Sequence, residues 1–335
     1  MKLRLAIVLV LTGVFLALAL RGLELDAALR TLRAVDWRAV APMMGAYLVV
    51  HSLRSLRLGL LLAAEGRPRL RFHRLFLISS VGFLAINVLP LRLGEAVRPY
   101  LLVEREGVAL GDALAAILLE RLVDVIMLLG MLLTVGLVVE LPPGGVVVAG
   151  VELVSAGQRA LGLAALGGAA GLAGAVFIGE PLIGALERIP VVGRLAPLAR
   201  RFRAGLVGLL RDPRRAALVG LLSAGTWGFT LAAVRALLGG FPGMPTAPAA
   251  VLTTWTFTLL GMTLVPTPGF FGPYELACSS ALQLWGVESA AAQSFGLVLH
   301  LGQLAFTLCI GGIGLLAEGL SLRALVRPPL GAPPA

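Results

Sequence analysis

Residues 110–139, LGDALAAILLERLVDVIMLLGMLLTVGLVV, decide the fold. A bilayer-spanning helix needs about 20 predominantly apolar residues, and this run has them. Yet Glu120, Arg121 and Asp124 fall in its middle. A charge at the bilayer centre costs roughly 2.5–3.5 kcal/mol on insertion scales, so such groups pair or face an interior cavity. Upstream, Pro90, Arg92, Gly94, Glu95 and Arg98 interrupt another apolar run in the same way. The stretch reads as one wall of a polar site inside a membrane.

The rest of the chain agrees. Of 335 residues 58% are hydrophobic and only 14% charged, with a mean hydropathy of +0.95, more than a soluble core requires. The hydrophobicity is continuous rather than alternating, which predicts an all-α polytopic membrane protein and excludes a transmembrane barrel. The net charge of +10 does not point to nucleic acid, because the arginines cluster in short loops between apolar runs. Cys278 and Cys309 lie in apolar segments and read as small core residues, not as a disulfide. Lys2 and Arg4, followed by an apolar run to Leu20, resemble a signal peptide without a small-residue cleavage site; a retained first helix is expected.

Apolar segments lie at 5–20, 39–58, 75–89, 110–139, 159–179, 216–238, 248–265 and 289–318. The loops orient them. Lys2 and Arg4, the basic stretch 65–74, the eight arginines of 180–215, and Arg323 with Arg327 are expected on the cytoplasmic side of the cell membrane. Residues 140–158 and 239–247 carry no basic residue and are expected outside. Both termini are then cytoplasmic. Between 74 and 140 the chain crosses an odd number of times, and 110–139 supplies one crossing. Residues 75–109 therefore enter and return on one side, as a re-entrant hairpin with its tip near Pro90, legal only if buried in protein or lining a cavity. By the same parity residues 248–286 form a second hairpin from the opposite side, turning at Pro266-Thr-Pro268-Gly269.

The expected architecture is six spanning helices plus two re-entrant helical hairpins arranged as an inverted repeat: residues 1–155, then 156–320, then a Pro-rich cytoplasmic tail, 321–335. Glu95 precedes Glu120 by 25 residues, as Glu275 precedes His300. The basic loop 180–215 reads as an insertion whose amphipathic pattern suits a helix on the cytoplasmic leaflet.

Three motifs carry polar chemistry. In Asn87-Val-Leu-Pro90-Leu-Arg92-Leu-Gly94-Glu95-Ala-Val-Arg98, proline stops the first limb and glycine permits close backbone approach. Arg92, Glu95 and Arg98 share a helical face, so one arginine pairs with Glu95 and net positive charge is left for an anion. In Glu120-Arg121-Leu-Val-Asp124 the carboxylates share a face and Arg121 reaches Asp124. A structural alternative pairs Glu120 with Arg92 or Arg98. In Pro266-Thr-Pro268-Gly269-Phe-Phe-Gly272-Pro-Tyr274-Glu275, two prolines and two glycines break the span, and Glu275 either faces the same cavity or sits at a surface turn. His300, with Gln303 one turn on, completes the cavity or is a satisfied interior residue. Arg54 and Arg57 are expected to snorkel to the cytoplasmic headgroups and Arg235 to do so on the other side. Trp37, Trp227, Trp255 and Trp285 fit interfacial belts or packing, and Gly167, Gly168, Gly171 and Gly174 a small-residue packing face. No P-loop, nucleotide-binding glycine motif, metal-ligand cluster or nucleophile elbow is present, so no cofactor, metal or soluble enzymatic activity is expected.

Taken in order, the three motifs resemble the transmembrane region of lysylphosphatidylglycerol synthases, a family that includes stand-alone flippase-like membrane proteins; the resemblance spans about residues 5–320. Two positions depart from the pattern: Phe270-Phe271, where a further glycine is expected, and His300, where arginine is common. The resemblance implies a lipid flippase region. In the synthases a soluble domain transfers the aminoacyl group; here a short tail, 328–335, stands instead, and aminoacyl transfer is not expected. The expected function is translocation of a phospholipid or a polyprenyl-phosphate-linked lipid, Arg92 and Arg98 holding phosphate while Glu95, Glu120, Arg121, Asp124, Glu275 and His300 shape the field. The alternatives are an intramembrane enzyme acting on a lipid phosphate, and a membrane scaffold whose partner is a cytoplasmic synthase or glycosyltransferase.

Overall fold

A computed structural model describes residues 25–63, 70–89, 94–137, 139–140, 196–264 and 267–320, with residue 13, two short pairs at 147–148 and 151–152, and isolated positions within 162–193. Ten helices of ten or more residues are described: α1 (Leu25–Ala34), α2 (Val40–Ala63), α3 (Phe72–Val88), α4 (Val97–Glu106), α5 (Leu110–Leu137), α6 (Ala196–Arg211), α7 (Pro213–Gly240), α8 (Pro248–Leu264), α9 (Pro273–Leu284) and α10 (Ser289–Ala317). A two-residue antiparallel pairing, Val147–Val148 with Val151–Glu152, is the one departure from the all-α expectation among the described residues.

Local chemistry sets the ends. Asp212 accepts from the Arg215 N–H at 3.0 Å, and Pro213 supplies a first helical residue that needs no amide donor, so α7 starts there. Leu89, preceding Pro90, is extended (φ −84°, ψ 133°) and ends α3 as a pre-proline residue must. Gly107 ends α4 in the left-handed region, φ 63°, which a Cβ disfavours.

Of the six spans that the sequence predicts, α7 and α10 are long and apolar enough to cross a membrane. The helices α2 and α5 are about 36 and 42 Å long at 1.5 Å per residue, but carry charges at mid-length. The predicted spans at 5–20 and 159–179 lie outside the described residues apart from isolated positions, as do Pro90, Arg92, Pro266 and the tail 321–335. Each half nevertheless repeats one order: a long helix, two short helices joined by a turn, and a second long helix (α2–α5, then α7–α10).

Two apolar cores result. The first gathers α3 and α4 (Leu75, Ile78, Val81, Leu84, Leu101, Leu102) with Leu58, Leu61, Leu119, Val219 and Leu315. The second gathers α8 and α9 (Val251, Trp255, Tyr274, Cys278, Leu282) with Tyr47, Met131, Trp227, Leu237 and Leu299. Each long helix passes from one core to the other. The helices α2 and α7 do so in opposite senses, and so do α5 and α10. The outer faces are the reverse of a soluble protein's. Leu48, Val125, Leu221 and Ile313 are 46–68% exposed, while Arg57 and Glu120 are 0% and 1% exposed.

The basic helix α6 packs against α5 and α7; Leu206 and Leu209 join the first core, and Arg201 donates to Asp112 at 2.7 Å. Its apolar face is thus used by the protein itself.

Candidate functional site

Where the long helices pass between the cores they carry polar residues. On α2 these are His51, Arg54 and Arg57, between Tyr47 and Leu58; on α5, Glu120, Arg121 and Asp124, between Leu119 and Met131; on α10, His300 and Gln303, between Leu299 and Leu315. A polar layer is therefore sandwiched between two apolar ones.

Arg98, on the second limb of the first turn unit, donates to both carboxylate oxygens of Glu120, at 3.1 and 2.8 Å. Two parallel bonds to one carboxylate are the strongest pairing an arginine makes. Arg57 Nη2 lies 3.8 Å from Glu120 Oε1 and 2.8 Å from Asp124 Oδ1, the latter an ion pair by distance without hydrogen-bond alignment. Arg57 Nη1 donates to Ser223 Oγ on α7 at 3.1 Å. Arg121 Nη1 stands 3.8 Å from Asp124 Oδ2 and is 48% exposed. The pairs Arg57–Asp124 and Arg98–Glu120 are balanced in charge, as burial demands. The stem of Arg98 lies across Gly82, where a Cβ would collide with its Cγ. Gly94 sits against the α3 backbone so closely that a Cβ would overlap Ala85.

Arg54 is different. It stacks on Phe83, its guanidinium carbon 5.4 Å from the ring centre, and makes no hydrogen bond or ion pair among the described residues. The expectation that Arg54 and Arg57 snorkel to the headgroups is overturned: Arg57 is fully buried, and α2 runs on through Leu58–Ala63 instead of ending near the arginines.

The second unit holds another pair. His300 Nδ1 donates to Glu275 Oε1 at 2.6 Å, and Glu275 Oε2 accepts from the Gly272 N–H at 2.7 Å. One carboxylate thus caps α9 and orients an imidazole on α10. Tyr274 stacks on His300 with centroids 4.2 Å apart, and its hydroxyl donates to Gln303 Oε1 at 3.1 Å. The turn itself is unusual: Gly269 has φ 59° and Phe270 φ 62°, a left-handed value costly for a residue with a Cβ. Phe270, at the position where the sequence departs from an expected glycine, itself adopts the glycine-favouring conformation. Gly269 approaches the last turn of α3, a Cβ built on it lying 3.7 Å from the Asn87 carbonyl oxygen.

A cavity of about 340 Å³ opens within the polar layer. Arg54, Arg121, Glu95, Asp124, His51 and His300 line it, with Asn87, Gln303, Tyr47, Phe83, Trp227, Trp255, Tyr274 and Phe270. Of the residues singled out from sequence, Glu95, Arg121, Asp124, His300 and Asn87 therefore reach the cavity. Arg98, Glu120 and Glu275 are buried and brace groups around it; Gly94, Pro268, Gly269 and Gly272 shape the tips. Arg54, Arg57, Tyr47, Trp227 and Trp255 were not foreseen as site residues. The signal for the arginines was the leucine run at 60–62, which carries the helix past them.

Compared with known families, residues 3–311 match the model described as Lysylphosphatidylglycerol synthase TM region. No curated protein and no solved structure matches the chain.

Proposed function

Because the chain belongs to the lysylphosphatidylglycerol synthase transmembrane-region family, and so is a membrane protein, we propose that it is a lipid translocase. The observation that carries this reading is a cavity lined by Arg54, which makes no hydrogen bond or ion pair among the described residues, and enclosed by long helices whose outer faces are apolar. A head group crosses through the polar layer while the acyl or prenyl chains stay in the bilayer. The lipid is an anionic phospholipid or a polyprenyl-phosphate lipid, because Arg54 on the lining carries a guanidinium, whose planar fork suits phosphate oxygens.

In this reading the two halves are an inverted repeat, which the opposite senses of α2 and α7, and of α5 and α10, support. The short helices α3, α4, α8 and α9 are about 26, 15, 26 and 18 Å long, as limbs of re-entrant hairpins should be against a core of about 30 Å. Arg54 is the first contact of the phosphate. Arg98, engaged at both terminal nitrogens by Glu120, braces the wall. The protein moves lipid without altering it, in the cytoplasmic membrane, with both termini inside.

The test is a proteoliposome assay with fluorescent phosphatidylglycerol and a fluorescent polyprenyl phosphate, read as accessibility to a membrane-impermeant quencher. Protein-dependent movement of either lipid, recovered chemically intact, is expected. Movement of neither lipid, or conversion to a product visible by mass spectrometry, refutes the reading.

A further inference from the structure

Three polar residues of the cavity lining, His51, Arg54 and Asn87, gather around Phe83. His51 stands edge-on to that ring with centroids 5.6 Å apart, and the Arg54 guanidinium carbon lies 5.4 Å from the ring centre. Asn87, one turn further along α3, donates from Nδ2 to the Phe83 carbonyl at 2.9 Å. His51 is 4% exposed, so its polar edge is a feature of the interior.

The bonds already made fix what each group has left to offer. Ser80 Oγ donates its hydrogen to the Phe76 carbonyl at 2.8 Å, so at 2.7 Å it accepts from His51 Nε2. That nitrogen carries the hydrogen, and in the neutral ring Nδ1 presents a lone pair. A carbonyl can only accept, so Asn87 turns its Nδ2 to Phe83 and keeps Oδ1 as an acceptor. Neither His51 Nδ1 nor Asn87 Oδ1 has a partner among the described residues, and neither is among the enclosed polar atoms that lack one. Both therefore keep surface toward the space that their residues line. The terminal nitrogens of Arg54 are open in the same way, while its Nε is enclosed. A positive fork and two neutral acceptors stand around one ring.

A phosphodiester satisfies the fork but has no hydrogen to give the acceptors. They need a donor on the group that the phosphate carries. An ammonium would supply one, but Arg54 and Arg121 on the same lining repel it. A hydroxyl supplies one without charge. We propose that His51 Nδ1 and Asn87 Oδ1 select a head group whose phosphate carries a hydroxylated substituent, a glycerol or a sugar. This rests on the translocase reading and deepens it, naming the head-group chemistry and the two residues that read it.

The test is binding of two radiolabelled lipids to the purified full chain in detergent. Phosphatidylglycerol and phosphatidylmethanol of the same acyl chains carry the same negative charge, and only the first has hydroxyls. The wild-type protein is expected to bind phosphatidylglycerol about 10-fold more tightly, the contribution of two neutral hydrogen bonds. His51→Phe keeps a ring against Phe76 and Phe83 and leaves Ser80 bonded to the Phe76 carbonyl; Asn87→Leu keeps the bulk. Each should cut the preference about 3-fold, and the double variant should abolish it. The preference is the readout because lost packing weakens both lipids alike. A wild-type protein that binds the two lipids equally overturns the proposal, with no variant needed. So does an unchanged preference in the double variant, or tighter binding of phosphatidylethanolamine than of phosphatidylglycerol. A second pair, a polyprenyl phosphate bearing glucose and one bearing a methyl group, separates the sources: the pair with the larger preference assigns the hydroxyls to glycerol or to sugar. If lipids cross the bilayer and bind without regard to hydroxyls, the selectivity falls and the translocase stands. If the preference holds but no lipid crosses, the translocase falls and the selectivity stands.

Discussion

Arg98 holds both carboxylate oxygens of Glu120, at 3.1 and 2.8 Å, and so ties the first turn unit to the middle of α5. Neither residue is more than 1% exposed. Removing one partner strands the other charge, so Glu120→Ala should destabilise the protein by about 3–5 kcal/mol, read as thermal unfolding in detergent. The double variant Arg98→Met/Glu120→Leu should recover much of that loss. Equal stability of Glu120→Ala and wild type would mean that the pair holds nothing.

Arg54 and Arg57 are one helical turn apart on α2 and should behave oppositely. Arg57 neutralises Asp124, so Arg57→Met should cost about 3–5 kcal/mol. Arg54 makes no hydrogen bond or ion pair with a carboxylate among the described residues, so Arg54→Met should stay within about 1 kcal/mol of wild type. It should nonetheless slow lipid movement at least about tenfold, as loss of a charged hydrogen bond of roughly 1.5–3 kcal/mol implies. Parallel stability and transport measurements on the two variants decide the matter.

Gly82 makes room for the Arg98 stem, and a Cβ there collides with it. Gly82→Ala should cost about 1–3 kcal/mol by overpacking. In an Arg98→Ala background the same change should cost almost nothing, and a double-mutant cycle would expose that coupling. Additive losses would place the strain elsewhere.

Glu275 serves two donors, the Gly272 N–H and His300 Nδ1. Glu275→Ala loses a cap and a charged hydrogen bond together, about 2–4 kcal/mol. Glu275→Gln keeps one acceptor oxygen and should lose less. Hydrogen exchange at the start of α9 should rise in the alanine variant; unaltered exchange would rule out the capping role.

Much of this was legible in the sequence. The apolar segments at 75–89, 110–139, 216–238, 248–265 and 289–318 correspond to α3, α5, α7, α8 and α10 within a few residues, because hydrophobic run length is set by the element itself. The pairing of Glu120 with an arginine of the first turn unit was also foreseeable, since a mid-helix carboxylate must find a cation. What hid the arginines of α2 was a boundary: ending the segment at Leu58 put Arg54 and Arg57 at a helix terminus, where snorkelling is the ordinary outcome. The helix α1 was missed because it is a short amphipathic helix, LDAALRTLRA, and not a continuous apolar run. Trp227 and Trp255 read as belt or packing residues; both pack into the second core, and nothing in one dimension separates an interfacial tryptophan from one beside a cavity.

The two cores have a consequence for how the chain matures. Leu58 and Leu75 begin the first core, yet Val219 and Leu315 finish it; Tyr47 likewise waits for Trp227 and Leu299 in the second. Neither half can complete its own interior during synthesis. The early helices must therefore persist in the bilayer with Glu120 and its arginines poorly shielded until the late helices arrive. Split halves of this protein should assemble only when they are made together, and unfolding should be a single cooperative event despite the duplicated pattern.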